Sequence, residues 1–230
     1  MHPMALRPLA NPRFRRLIWL VVGLLGWAGL VIVGRGLWAE DPRQLGFDLE
    51  LILRAGRRVA AGLGPYDAAL VDGTAQLEAA DLFFSYPPPI AQAASLLVGL
   101  PTLVALAALG GIAVGGVAVV VVRVARRFAP WVRPADAALP AVALLPFLYP
   151  MAAALLFGNV DALYPLLYGA MLLGVLAGGR GGAATAGLGL IAATITKVHP
   201  GAMGLWFVVR GLRERRGERG VAWPALGVAV

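Results

Sequence analysis

The amino-acid sequence predicts an all-α protein whose helices cross a membrane several times. Of its 230 residues, 60% are hydrophobic and only 14% are charged, whereas a soluble domain is about half apolar and about one quarter charged. The mean hydropathy of +0.79 agrees with this prediction. These values exclude a soluble enzyme and a disordered chain. The absence of cysteine excludes a disulfide framework and a thiolate metal site.

The positive charge of the chain indicates membrane topology. The formal net charge is +8, from 20 basic and 12 acidic residues. Basic residues collect on the cytoplasmic side of membrane spans, which explains this charge without nucleic-acid binding. We therefore expect membrane lipids as partners and no nucleic acid. The two histidines are too few for a rich metal site. No Walker A loop, nucleophile elbow, zinc-protease string or dinucleotide fingerprint occurs in the sequence.

The first apolar run predicts an uncleaved membrane anchor. It covers residues 17–38, long enough to cross a hydrocarbon core of about 30 Å. Four arginines precede it: Arg7, Arg13, Arg15 and Arg16. We therefore expect a cytoplasmic N-terminus, and an outer loop over residues 39–89, which form the one long polar stretch. Within this loop, the spacing of apolar residues over 46–67 predicts an amphipathic helix on the outer leaflet.

The middle of the chain predicts three further spans. The apolar stretch 90–122 is too long for one span, and Pro101 is expected to divide it. Arginines at 123, 126, 127 and 133 then mark a cytoplasmic loop. A turn at Gly158 and Asn159 is expected outside. The predicted elements are an interfacial helix over 90–98 and spans over 102–122, 136–157 and 160–177.

The last apolar stretch predicts a tight helical hairpin. Its two pieces, 183–196 and 198–209, each reach only about 20 Å at 1.5 Å per residue, and Lys197 separates them. Arginines from 210 to 219 flank the second piece, so we expect both flanks in the cytoplasm and the tip, residues 197–201, outside. The sequence ends at Val230 within another apolar segment. We therefore expect residues 1–230 to be a single transmembrane domain, the N-terminal part of a longer protein.

Four polar residues near the expected outer side could carry chemistry. Asp48 either caps its helix or acts as a general base at the membrane edge. Lys197, the one lysine of the chain, either extends its ammonium to the interface or holds a phosphate. Asn159 could cap the returning helix, and Asp161 is an acid near hydrocarbon, where charges are costly and often functional. The string from Phe83 to Pro89 is either an interfacial anchor or the wall of a headgroup cavity.

The order of these motifs resembles glycosyltransferase family 87, within the GT-C superfamily of membrane glycosyltransferases. An Asp opens the first outer loop, and a helix ending in G-x-G-P-Y-D follows. An aromatic-Tyr-Pro-Pro string precedes the second span, and F-G-N stands at an outer turn. The string A-G-L-G-L-I-A-A-T-I-T-K-V-H-P-G and an Arg-rich segment come last. The resemblance covers roughly residues 15–216.

The resemblance implies a fold and a reaction. It implies a GT-C-like helical bundle that transfers a hexose, mannose above all, from a polyprenyl-phosphate donor to a lipid-linked or glycan acceptor. Transfer would take place on the extracytoplasmic face of the cell inner (plasma) membrane, with inversion and without a metal or cofactor. Asp48 would be the catalytic base. The residues implied for substrate binding are Lys197, His199, Tyr86, Asn159 and Tyr66.

Two other functions remain open at the level of sequence. A transporter or flippase for a lipid-linked sugar could use the same cavity and Lys197 without needing a base. A non-catalytic remnant would only insert into the membrane and pack. A transfer assay with a radiolabelled donor separates both from the enzyme.

Overall fold

The structure is a computed structural model, and it describes residues 11–72, 84–213, 220 and 222–229. Every regular element within these residues is a helix, which confirms the all-α prediction. Some expectations fall on residues outside the described ones. They concern Arg7, residues 73–83 of the outer loop, Arg215, Arg216, Arg219 and Val230. The α-helices are α1 Pro12–Glu40, α2 Phe47–Ala60, α3 Ala68–Val71, α4 Pro88–Ser95, α5 Thr102–Phe128, α6 Pro134–Leu144, α7 Tyr149–Phe157, α8 Tyr164–Ala177, α9 Gly179–Thr196, α10 Met203–Arg213 and α11 Ala222–Ala229.

Three helical segments in the described part of the chain are long and apolar enough to cross a membrane. They are α1, α5 and Val160–Ala177, which joins a short 3-10 turn to α8. They confirm the spans predicted over 17–38, 102–122 and 160–177, and they make the chain a polytopic membrane protein.

The fourth predicted span, over residues 136–157, is not one straight helix. Its two halves, Pro134–Phe147 and Tyr149–Phe157, meet at an angle of 75°. Pro146 and Pro150 flank the break and lack the backbone N–H that a continuous helix would need there. Leu148 between them adopts an extended conformation. The pair can therefore form at most one broken crossing.

Contacts between helix ends define two ends of the bundle. At the arginine end, the starts of α1 and α6 are joined by Arg16 and Asp136, with an N–O distance of 2.6 Å. At the opposite end, which we call the site end, Thr102 at the start of α5 donates a 2.6 Å hydrogen bond to Glu50 of α2. The arginine end carries Arg13, Arg15, Arg16, Arg123, Arg126, Arg127, Arg133 and Arg180.

Helix α2 packs on protein rather than lying freely on a lipid surface. Leu53 and Ala55 on its apolar face are each 1% exposed. Gly56 allows close approach to α4, because a Cβ at this position would lie 2.6 Å from the backbone carbon of Ala94. The predicted amphipathic helix exists, from Phe47 to Ala60. Its apolar face meets α4 and its neighbours rather than lipid, and its place on the outer side remains a prediction.

The C-terminal helices turn back near Lys197, as the hairpin prediction required. Phe207 of α10 is fully buried in one cluster with Ala186 of α9 and Ala225 of α11. The hairpin is not a tight pair, however, because α11 packs along both of its arms. A Cβ at Gly187 would meet the Ala225 carbonyl. The outer placement of the tip remains a prediction.

Candidate active site

Asp48 lies in the first turn of α2, at the site end. The cap of this helix is Gly46, whose left-handed backbone (φ 72°) redirects the chain and whose N–H donates to the Leu156 carbonyl at 2.8 Å. Glycine suits such a conformation because it has no Cβ. Asp48 makes no capping hydrogen bond. Asp48 is therefore not the cap, although its charge stands in the first turn, at the positive end of the helix, as that interpretation also expected. Its carboxylate is turned toward another segment.

That segment is the turn between α7 and α8, where Asn159 donates to Asp48. The distance from Asn159 Nδ2 to Asp48 Oδ2 is 2.7 Å. Asn159 Oδ1 accepts the backbone N–H of Asp161 at 3.0 Å, as expected for a cap. Because the amide oxygen is engaged in this way, the amide nitrogen is directed at Asp48. One residue thus caps the 3-10 turn and orients the carboxylate.

Lys197 reaches the same turn from the end of α9. Its ammonium lies 2.8 Å from Asp161 Oδ2 and 3.5 Å from Asn159 Oδ1. It also lies 5.7 Å from the centre of the Tyr86 ring, within cation–π range. Neither interpretation made from the sequence included this pairing, since each treated Lys197 as an unpaired cation. Asp161 is the partner.

Asp161 has a second oxygen that is buried and unused. Its Oδ1 accepts no hydrogen bond from any described residue. A buried acceptor without a donor is costly, so this oxygen is suited to a hydroxyl group brought by a ligand. The Tyr164 hydroxyl is close enough to act on the Asp161 carboxylate, although it makes no hydrogen bond of normal geometry to Oδ1, and it lies 3.4 Å from the Thr196 hydroxyl.

An aromatic wall closes one side of the cluster. Tyr86 is 6% exposed, and its ring stands 5.8 Å from that of Phe84. Tyr66 packs behind it and donates its hydroxyl to the Tyr86 carbonyl at 2.9 Å. Burial and the charges of Asp48 and Asp161 raise the pKa of Tyr86, so its hydroxyl stays protonated. Tyr66 therefore braces the wall, since its own hydroxyl is already engaged.

His199 lies on the other side of the Lys197 turn. Its ring contacts Tyr164 edge to face, with centroids 5.7 Å apart. Sequence reasoning missed Tyr164 and Thr196, because a tyrosine and a threonine at helix ends carry no distinctive pattern. Asp161 was singled out as an acid near hydrocarbon, but its pairing with Lys197 was not predicted, although two opposite charges in apolar surroundings favour such a pair.

The electrostatics of Asp48 suit a proton acceptor. Burial, and to a smaller extent the charge of Asp161, raises the pKa of Asp48. The hydrogen bond from Asn159 and the charge of Lys197 lower it, but the net effect is a raised pKa. A carboxylate with a raised pKa is a stronger base than an ordinary exposed aspartate. Its Oδ1 has no hydrogen-bond partner among the described residues and is free to accept a proton.

A second acid at the site end is structural. Glu50 accepts hydrogen bonds from Thr102 at 2.6 Å, from Arg54 at 3.1 Å and from Arg57 at 2.6 Å. Glu50 and Arg54 stand four residues apart on α2, the spacing at which opposite charges pair on a helix. Although burial acts in the opposite direction, these bonds lower the pKa of Glu50. Glu50 fixes α2 to α5 and leaves no basic oxygen comparable with that of Asp48.

The described residues contain no group of three or more metal-ligating side chains. What the site end offers instead is a carboxylate base beside an ammonium and a buried acceptor. The arrangement can accept a proton and bind an anion at neighbouring points.

The fold and site define a polytopic membrane protein with a polar, ion-paired cluster at one end of its helices. The family model described as Glycosyltransferase family 87 matches residues 83–230, well over half of the chain. The chain belongs to this family and is a membrane glycosyltransferase. The matched range includes Tyr86, Asn159, Lys197 and His199, whereas Asp48 and Tyr66 precede it. No curated protein and no solved structure matches the chain.

Proposed function

We propose that the protein transfers a hexose, mannose in particular, from a polyprenyl-phosphate donor to a lipid-linked or glycan acceptor. Membership in glycosyltransferase family 87 supports sugar transfer in a membrane. The pairing of a base with a cation in one cluster supports a donor whose leaving group is a phosphate. The single observation that carries the proposal is the Asn159 amide, which contacts Asp48 on one side and lies near Lys197 on the other.

The distribution of arginine supports an outer position for this cluster. The arginine end carries eight arginines, and basic residues favour the cytoplasmic side. We therefore assign the N-terminus to the cytoplasm and the site end to the extracytoplasmic face of the cell inner (plasma) membrane. As a single transmembrane domain, residues 1–230 would contribute the helices that hold this site within a GT-C-like bundle.

Asp48 is the general base of the proposed reaction. Its Oδ1 takes the proton of the acceptor hydroxyl while the acceptor oxygen forms a bond to the anomeric carbon. The bond from the anomeric carbon to the phosphate oxygen breaks, and its electron pair leaves with the polyprenyl phosphate. Attack on the face opposite the leaving group inverts the anomeric centre. No metal or cofactor is required, because a monophosphate leaving group needs only a positive contact.

Lys197 supplies that contact in the proposal. Its ammonium has three donors; Asp161 takes one at 2.8 Å and Asn159 Oδ1 a second at 3.5 Å, so one remains for a phosphate oxygen. Asp161 Oδ1, buried and unpartnered among the described residues, accepts a sugar hydroxyl. Tyr86 and His199 line the site, Asn159 positions the base, and Tyr66 braces Tyr86.

The test is sugar transfer in proteoliposomes by the full chain and by Asp48→Asn. The donor is a radiolabelled polyprenyl-phosphate hexose, with total membrane glycolipid as acceptor. Loss of a positioned base should lower the rate by about 10²- to 10⁴-fold. Asp41→Asn is the matched control: Asp41 lies seven residues earlier and its side chain is bound only by Arg43 among the described residues, so transfer should persist. Undiminished transfer by Asp48→Asn would refute the assigned base, and lipid movement without a new glycosidic bond would favour a flippase.

A stability measurement separates lost chemistry from lost folding. Because the folded protein raises the pKa of Asp48, the charged carboxylate opposes folding at a pH above that raised value. A neutral Asn at position 48 removes this opposition. Asp48→Asn should therefore unfold at the same temperature as the unsubstituted protein, or at a higher one. A clearly lower unfolding temperature would mean that Asp48 serves the fold.

A further inference from the structure

A cavity of about 530 Å³ lies at the arginine end, remote from the sugar-transfer site. It opens between the start of α1 and the start of α6, two helices whose first turns lie side by side there. Its polar lining consists of Arg15, Arg16, Arg133 and Asp136, and two tryptophans, Trp19 and Trp131, stand at its edge. Nothing in the proposed transfer reaction uses this cavity.

The charges of the cavity do not balance. Asp136 binds Arg16 through two hydrogen bonds, of 2.6 Å and 3.1 Å, and this pair fixes one guanidinium. Arg15 and Arg133 are near enough to act on Asp136 electrostatically, yet neither side chain donates a hydrogen bond to any described residue. Two guanidiniums are left over, so the cavity is suited to an anion.

The position and shape of the cavity indicate which anion. It lies at the start of α1, a helix long and apolar enough to cross a membrane, so the proposed topology places it at the depth of lipid headgroups. Trp131 is 78% exposed there, and tryptophan favours this interface. One and two turns beyond Arg16, Leu20 and Leu24 are 56% and 72% exposed, and they provide an apolar path for acyl chains. A guanidinium binds phosphate oxygens in a planar, two-pronged geometry.

We propose that this cavity binds the phosphate headgroup of an anionic phospholipid, held by Arg15 and Arg133 and oriented by the fixed Arg16. Basic pockets between membrane helices on the cytoplasmic side bind anionic headgroups in this way. The lipid would join α1 to α6, whose bent continuation leads to the turn that carries Asn159. The site is distinct from the donor site because it lies at the opposite end of the helices.

The test is a lipid titration of the delipidated full chain in detergent. Phosphatidylglycerol should bind at least tenfold more tightly than phosphatidylcholine. The double variant Arg15→Gln/Arg133→Gln should weaken phosphatidylglycerol binding by about thirtyfold, from two basic contacts near an anionic headgroup. Arg13→Gln/Arg126→Gln is the matched control: it removes the same charge from the same end, outside the cavity lining, and should retain the affinity.

Three outcomes would overturn the proposal. Equal weakening by the two double variants would indicate general attraction to a basic surface. Equal binding of phosphatidylcholine would exclude an anionic headgroup as the ligand. Inorganic phosphate that raises the unfolding temperature as much as phosphatidylglycerol at the same concentration would identify a soluble anion instead. The unfolding temperature without lipid checks that both double variants fold.

Discussion

At the site end, Asp48, Asp161 and Lys197 come from three different segments and are joined through Asn159. At the arginine end, a single carboxylate, Asp136, faces three guanidiniums. The first cluster sets two carboxylates against one ammonium, and its members hold one another in place. The second carries surplus positive charge that no described residue neutralises. The difference is the ground for the two proposals: mutually positioned groups favour chemistry at the site end, and unneutralised guanidiniums favour anion binding at the arginine end.

The largest effect on this comparison is expected from Lys197. Replacing Lys197 with Gln removes the positive contact for the leaving phosphate and leaves Asp161 without its 2.8 Å partner. The transfer rate should fall by about 100-fold, typical of a lost electrostatic contact to a developing charge. Lys197→Arg should retain part of the activity because it keeps the charge. Radiolabelled transfer measures both, and equal rates for Gln and Arg would show that the charge is not needed.

The next effect concerns the turn that carries Asn159. Gly158 has φ 70°, and a Cβ there would lie 2.6 Å from the Cβ of Leu49 in α2. Gly158→Ala should destabilise the fold by about 2–4 kcal/mol, from backbone strain together with overpacking.

A second glycine gives a matched control for that change. Gly62 has φ 75° but no neighbour within 4 Å of the corresponding Cβ position. Gly62→Ala should therefore show only the strain, about 1 kcal/mol. Thermal unfolding followed by circular dichroism measures both variants. Equal losses would mean that α2 does not press against the turn.

The smallest effect concerns the bond between α2 and α5. Thr102→Val removes a 2.6 Å hydrogen bond to Glu50 and should cost about 1 kcal/mol. Folding lowers the pKa of Glu50 below its unfolded value of 4.5. The ionised carboxylate therefore stabilises the folded protein at a pH above 4.5, and this stabilisation is lost as the pH falls through the lower pKa of the folded state. In Thr102→Val, unfolding temperatures should depend less on pH in this window. An unchanged dependence would assign the pKa shift to Arg54 and Arg57 alone.

Much of the fold could be predicted from the sequence, because spans follow from length and hydrophobicity. The runs over 17–38, 102–122 and 160–177 needed only helix rise and membrane thickness. The packing of α2 could not be predicted in this way. An amphipathic pattern is the same whether its apolar face meets lipid or protein, and the contact of Gly56 with Ala94 depends on the tertiary structure.

The candidate site was predictable residue by residue but not as a set of contacts. Asp48, Asn159 and Lys197 each stood out as polar groups near the ends of apolar runs. Their contacts span separations of 111 and 38 positions along the chain, which no local pattern encodes. The pairing of Lys197 with Asp161 was missed for the same reason, although two opposite charges in apolar surroundings favour a pair.

The central claim is that Asp48, held by Asn159, is the base that accepts the proton in sugar transfer. The most direct test is the pH dependence of kcat/KM for the unsubstituted protein and for Asn159→Ala. A base must be ionised, so the rate should rise with pH through the pKa of Asp48. The Asn159 hydrogen bond lowers that pKa, so Asn159→Ala should move the acidic limb to higher pH, while Thr102→Val leaves it in place. An acidic limb that stays fixed in Asn159→Ala, or moves to lower pH, would contradict the account.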